Sequence, residues 1–262
     1  MADQIVKYEN RYPAAVITLD SPATRNALSI AMIDAVMESI TRAESDARVR
    51  ALIFAATDPA FCGGMDLKEL RGALDRLKFD ATGAVWEGAL RGEQMIDRVY
   101  KLSKPTIAAV NGVAVAGGAG LLSACDMVVA APEARIGYPE MKRGIQAGMV
   151  ILHLMRLVGE RQARYLVLTG ELVSAEKAFQ MGMINAVVAK ERLLDTALEW
   201  AREVALNAPK AEAISKSLLR RFSSQAVAMS MTEYTAAPHL TDECRAGLEA
   251  FFAKRPAPWA PE

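Results

Sequence analysis

Two glycine-rich turns carry the clearest chemical potential in this sequence. One is Phe61-Cys62-Gly63-Gly64-Met65-Asp66-Leu67, and the other is Val115-Ala116-Gly117-Gly118-Ala119-Gly120. Glycine admits positive φ and lets the backbone approach a bound group closely. A turn of this kind that opens a helix also leaves N–H groups without intrahelical partners, at the positive end of the helix dipole. Taken singly, each turn reads equally well as a tight connection that needs small residues. Facing one another, they could offer two N–H donors to one developing oxyanion, where each donor is worth about 3–4 kcal/mol of barrier.

Other chemistries find less support. A Ser-His-Asp hydrolase needs a usable histidine, and the chain has His153 and His239 alone. His153 falls in an apolar helical stretch, and His239 follows a proline. There is no GxSxG elbow and no metal-ligand spacing, so no metal site is expected. Neither turn matches GxGxxG, although Glu140 follows Gly120 at a distance compatible with a nucleotide-binding acid. Cys62 sits in the first turn, but cysteine commonly packs as a small hydrophobe. Glu140 itself follows a proline, where a carboxylate is usually a solvated turn residue.

The elements that must position these turns follow from periodicity. Apolar stretches at 14–19, 51–55, 106–110 and 127–130 read as strands. A helix capped by Asn26 or Ser29 runs to about 43, with Ile30, Ile33, Val36, Met37 and Ile40 on one face. Helical patterns also cover 67–74, 92–102 and 118–125. This alternation predicts an α/β fold with βαβ crossovers and largely parallel pairing. Beyond Gly144 the pattern is mostly helical: 149–158, 160–168, 175–181, 193–206, 210–222 and 241–252, with a short strand at 186–188. No repeat of fixed period is visible. We therefore divide the chain into an α/β core, residues 1–200, and a helical C-terminal region, residues 201–262, with a change of class rather than a flexible joint between them.

Bulk properties narrow the function classes. Lys+Arg and Asp+Glu each total 31, so net charge draws the chain to neither nucleic acid nor an anionic membrane. Residues 106–125 are uncharged and long enough to span a bilayer, but Asn111-Gly112 breaks them with turn chemistry. The three cysteines form no CxxC pair or disulfide pattern, which fits reduced thiols and a cytoplasmic location.

Taken together and in order, the segments resemble the crotonase, or enoyl-CoA hydratase/isomerase, family over nearly the whole chain. The resemblance is carried by Arg25-Asn26-Ala27-Leu28, by Gly63 to Lys68, and by Lys104-Pro105 through Asp126. It continues with Gly137-Tyr138-Pro139-Glu140, with Leu168-Thr169-Gly170 and residues 175–188, and with Glu249 to Arg255. It implies a crotonase-like ββα spiral core with an α-helical C-terminal trimerisation region. It further implies oxyanion-hole N–H donors at Met65 and Gly117, and Glu140 as acid/base. Arg25, Ala27 and Lys68 would lie near the nucleotide of coenzyme A, Ala27 through its backbone. Phe251 and Lys254 would help close that pocket, from the same or a neighbouring subunit. No cofactor is implied beyond coenzyme A as part of an acyl-CoA substrate. The expected assembly is a homotrimer or a dimer of trimers.

Two positions depart from the family pattern. Gly120 stands where its hydratases usually carry a second glutamate, which questions two-carboxylate hydration and suggests that a glutamate restored there would add it. Tyr138 and Gln146 are the candidate helpers for orienting water. Ala116 replaces a frequent glycine. The sequence thus points to an enoyl-CoA hydratase/isomerase with one glutamate. A crotonase-fold hydrolase, decarboxylase or lyase, or a non-catalytic acyl-CoA binding protein, is the alternative. Residues 72–99 are expected to shape the acyl pocket, with Phe79, Trp86 and Met95 as candidate lining residues.

Overall fold

The computed structural model describes residues 5–76, 83–223 and 242–256. A six-stranded sheet runs β1-β2-β3-β5-β7-β10, built from β1 Val6–Arg11, β2 Ala14–Leu19, β3 Ala51–Ala56, β5 Thr106–Val110, β7 Met127–Ala130 and β10 Ala186–Val187. All its pairings are parallel except the β1–β2 hairpin. A second sheet, β4-β6-β8-β9, is made of β4 Ala60–Cys62, β6 Val113–Val115, β8 Arg135–Gly137 and β9 Leu172–Ser174. The sequence reading contains none of these four strands. Each is three residues long, too short for a period to show.

The chain repeats one unit: a strand in the large sheet, a strand in the small sheet, then a helix. The first unit is β3, β4 and α2 Leu67–Arg76. After α3 Gly83–Lys101 comes β5, β6 and α4 Gly117–Ala124, then β7, β8 and α5 Gly148–Thr169. The inserted α3 separates the first two units widely, so the spatial repeat leaves no fixed sequence period. Within α5, Gly159 is non-helical (φ 71°, ψ 166°), which accounts for the two helices expected at 149–158 and 160–168.

Alternation along the large sheet gives it two apolar faces. Ala14, Val16, Ala51, Ile53, Ile107, Ala109 and Val129 meet α7 Leu193–Ala205 through Leu193, Ala197, Leu198 and Ala201. The opposite face, with Ile17, Leu52, Phe54, Ala108 and Val110, packs into the main core with α1 Ile30–Ser45, α3, α4 and α5. Residue 200 therefore falls inside a helix that covers the sheet. α6 Ala175–Gln180 links β9 to β10. α8 Pro209–Ser223 is tied to the core by two ion pairs, Arg50–Glu212 at 3.1 Å and Lys216–Asp126 at 2.5 Å. The last described helix, α9 Asp242–Phe252, packs against α2 and the 3-10 turn Pro139–Arg143.

Candidate active site

The first glycine-rich turn is held by Leu28 and Asp66. Leu28 pairs with Met65 in an isolated parallel bridge. The bonds are Leu28 N–H to the Gly64 carbonyl, 2.7 Å, and Asp66 N–H to the Leu28 carbonyl, 3.3 Å. In such a bridge the central residue's own N–H points to the other side, so the Met65 amide faces away from Leu28. The Asp66 carboxylate accepts from the amides of Lys68 and Glu69 at 2.8 and 3.2 Å and so caps α2. Gly64 has φ 83°, and a Cβ there would stand 2.8 Å from the Ala116 Cβ and 2.9 Å from the Val115 carbonyl. No other residue permits the two turns to approach this closely.

The second turn enters α4 at Gly117, whose N–H has no intrahelical acceptor. Ala116 adopts φ 52°, ψ −123°, a strained conformation for a residue with a Cβ. The Met65 nitrogen lies 3.8 Å from where a Gly117 Cβ would stand, and the Gly117 nitrogen 3.3 Å from a Gly64 Cβ. The two turns therefore bring the Met65 and Gly117 nitrogens close together.

Met65 and Gly117 line a cleft of about 480 Å³ which Glu140 also lines. Glu140 is buried, and its Oε2 has no hydrogen-bond partner. Burial raises its pKa to about 7, against the opposing pull of its own backbone N–H and the Arg143 guanidinium. Arg25, Ala27 and Lys68 line the same cleft, as does Phe251, delivered by α9 of the same chain. Lys254 is exposed and does not line it.

Several side chains take places that the sequence reading did not assign. Asn26 does not cap α1; Ser29 does, its Oγ accepting from Met32 N–H at 3.1 Å. Asn26 is instead fully buried with φ 54° and clamps its loop to the core. Its Nδ2 donates to the carbonyls of Thr57 and Ala60, both at 2.8 Å, and its Oδ1 accepts from Ser21 N–H at 2.7 Å. Gly120 does not line the cleft, although its neighbour Val150 does. A Cβ there would overlap Val150 Cγ1 and come within 3.0 Å of Ile96 Cδ1. A glutamate restored there would have to displace the Val150 and Ile96 side chains before it could act.

Of the two helpers, Gln146 lines the cleft. Tyr138 is fully buried with its hydroxyl 3.0 Å from Ser123 Oγ, a structural pair. Met95 is buried in the main core and does not line the cleft. Phe79 and the Trp86 side chain lie outside the described residues, as does His239. Cys62 is fully buried and its thiol is pushed up to about 12, so it holds no useful thiolate. His153 packs edge-on against Tyr100 at 4.8 Å, and burial lowers its pKa to about 4. Arg143, which the sequence reading passed over, lines the cleft three residues from Glu140. Among the described residues no helix is long and apolar enough to cross a membrane.

With this geometry established, comparison with known proteins identifies the lineage. The enoyl-CoA hydratase/isomerase family model matches residues 10–262. A Thermus thermophilus relative bearing an enoyl-CoA hydratase name is 38% identical over 245 residues, covering 92% of this chain and 95% of its own. An enoyl-CoA hydratase/isomerase crystal structure from Xanthobacter autotrophicus Py2 superposes with a TM-score of 0.84 at 31% identity, over 98% of this chain and 99% of that one. A methylmalonyl-CoA decarboxylase in complex with 2-nitronate-propionyl-CoA gives 0.83 at 25% identity, with all of both chains covered. The spiral of strand pairs and helices is the crotonase fold, and the chain is a member of the enoyl-CoA hydratase/isomerase family.

Proposed function

We propose that this chain catalyses proton transfer on an enoyl-CoA thioester, with the Met65 and Gly117 amides as oxyanion hole and Glu140 as the single acid/base. One observation carries the reading. Two facing turns bring the Met65 and Gly117 nitrogens close together in a cleft whose wall presents a buried carboxylate with an unpartnered oxygen. The Glu140 carboxylate removes a proton from the carbon beside the thioester carbonyl. The electron pair moves onto the carbonyl oxygen, where the two N–H groups stabilise it. Glu140 then returns the proton, to the same carbon or to the far end of a conjugated enolate, which moves a 3-enoyl double bond to the 2-position. A pKa near neutrality suits a group that must both take and give a proton.

The filled space at Gly120 supports one-carboxylate chemistry over hydration by a glutamate pair. Gln146 on the cleft wall supports a second reading, in which it orients a water for addition to a 2-enoyl-CoA. Arg25 and Lys68 would meet the coenzyme A phosphates. Lys254 would act only by reaching over from the end of α9.

Presenting 2-enoyl-CoA and 3-enoyl-CoA in deuterated water tests the reading. Isomerisation with deuterium uptake is expected, or hydration on the second reading. Coenzyme A binding with neither substrate changed would leave the non-catalytic alternative standing. Further parts of the proposal are assembly as a homotrimer or dimer of trimers and a cytoplasmic setting. The latter is supported by three buried cysteines that form no disulfide.

A further inference from the structure

The cleft holds a charged group, Arg143, to which neither the acid/base chemistry nor the coenzyme A contacts proposed above give a role. Arg143 closes the 3-10 turn that Pro139 and Glu140 open. With three residues per turn, positions i and i+3 project on one face, about 6 Å apart along the axis. Glu140 and Arg143 accordingly line the same cleft. Among the described residues Arg143 makes no ion pair. Its Nη1 donates a long bond, 3.3 Å, to the Pro139 carbonyl, and its Nε is buried without a partner. The guanidinium lies over the Phe251 ring, 4.8 Å from its centroid, which holds it against α9.

Glu140 is its charged neighbour, but no ion pair closes between them, and a partly buried guanidinium with one weak bond is costly until a hydrogen-bonded anion completes it. Its planar fork matches a carboxylate bidentately. Building on the acyl-CoA reading above, we propose that Arg143 is a specificity residue for a carboxylate carried on the acyl group. The preferred substrates are then coenzyme A monothioesters of dicarboxylic acids. The phosphates of coenzyme A offer the same charge, but the pantetheine arm separates them from the thioester. Arg143 stands one turn from the acid that works beside that thioester, whereas Arg25 stands on another loop of the cleft and Lys68 in the first turn of α2.

Calorimetry tests this without depending on turnover. Two saturated acyl-CoAs of equal carbon count, one ending in carboxylate and one in methyl, are titrated into the full-length wild-type chain, Arg143→Gln and Arg143→Lys. The wild type is expected to bind the carboxylate-ended ligand at least about tenfold more tightly, the range of a hydrogen bond to a charged group. Arg143→Gln should erase that preference and leave the methyl-ended Kd nearly unchanged, while Arg143→Lys should keep part of it. Equal weakening of both ligands in Arg143→Gln would assign the side chain to coenzyme A or to the fold and overturn the proposal. So would a wild type without preference, which needs no variant to fold and leaves the acyl-CoA reading intact. Binding of neither ligand would bring down both.

Discussion

Replacing Glu140 with glutamine removes the acid while keeping the side chain's size, and turnover on enoyl-CoA should fall at least about a hundredfold. The same carboxylate links activity to pH. As the base must be ionised, kcat/KM should rise with pH through about 7, the value to which burial lifts this group. Stability should run the other way. A carboxyl whose folded pKa lies above its unfolded value favours the fold fully below about 4.5 and loses that contribution as pH rises through 7. Glu140→Gln should therefore be more stable than the wild type at pH 8, by about 2–3 kcal/mol, and not at pH 4. Denaturant unfolding at the two pH values checks the sign. Arg143 belongs to this scale too, since its effect should separate by substrate where that of Glu140 should not.

The loops and helices that carry these residues make their own predictions. Ala116 keeps a Cβ in a conformation that penalises one, so Ala116→Gly should raise stability by about 1 kcal/mol, measured by urea titration. Asn26 closes three hydrogen bonds from a fully buried site, and Asn26→Ala should cost about 2–4 kcal/mol. It should also weaken coenzyme A binding, because Arg25 and Ala27 share its loop. Gly120→Glu should destabilise the protein by about 1–3 kcal/mol or more through overlap with Val150 and Ile96, without adding hydration. A gain of hydratase activity in that variant would show that the helix pair α4–α5 opens more readily than its packing indicates.

For the whole molecule, the exposed apolar residues of α8 bear on assembly. Ile214, Leu218 and Leu219 face solvent in the isolated chain, Leu219 at 73%. On the trimer proposed above, these residues are the ones an interface would cover. Sedimentation of the wild type should give a mass of three or six chains, and Leu219→Glu should shift it toward smaller species. A wild-type monomer at micromolar concentration would refute the trimer. Phe251 reaches the cleft from its own chain, so disassembly by a change in α8 need not abolish binding.

By itself the sequence determined five of the six strands of the large sheet, all but the polar β1, the helices with clear periodicity, and the two turns able to supply amide donors, because local residue types encode these features. It also marked Glu140 and the loop of Arg25 and Ala27 through family resemblance. The small sheet was invisible, since three-residue strands carry no period and form only when spiral neighbours pair them. Tertiary packing alone decided that the space at Gly120 is filled by Val150 and Ile96, that Asn26 is a clamp and not a cap, and that Arg143 enters the cleft. Each depends on what a distant element places against the residue, and no local pattern records that.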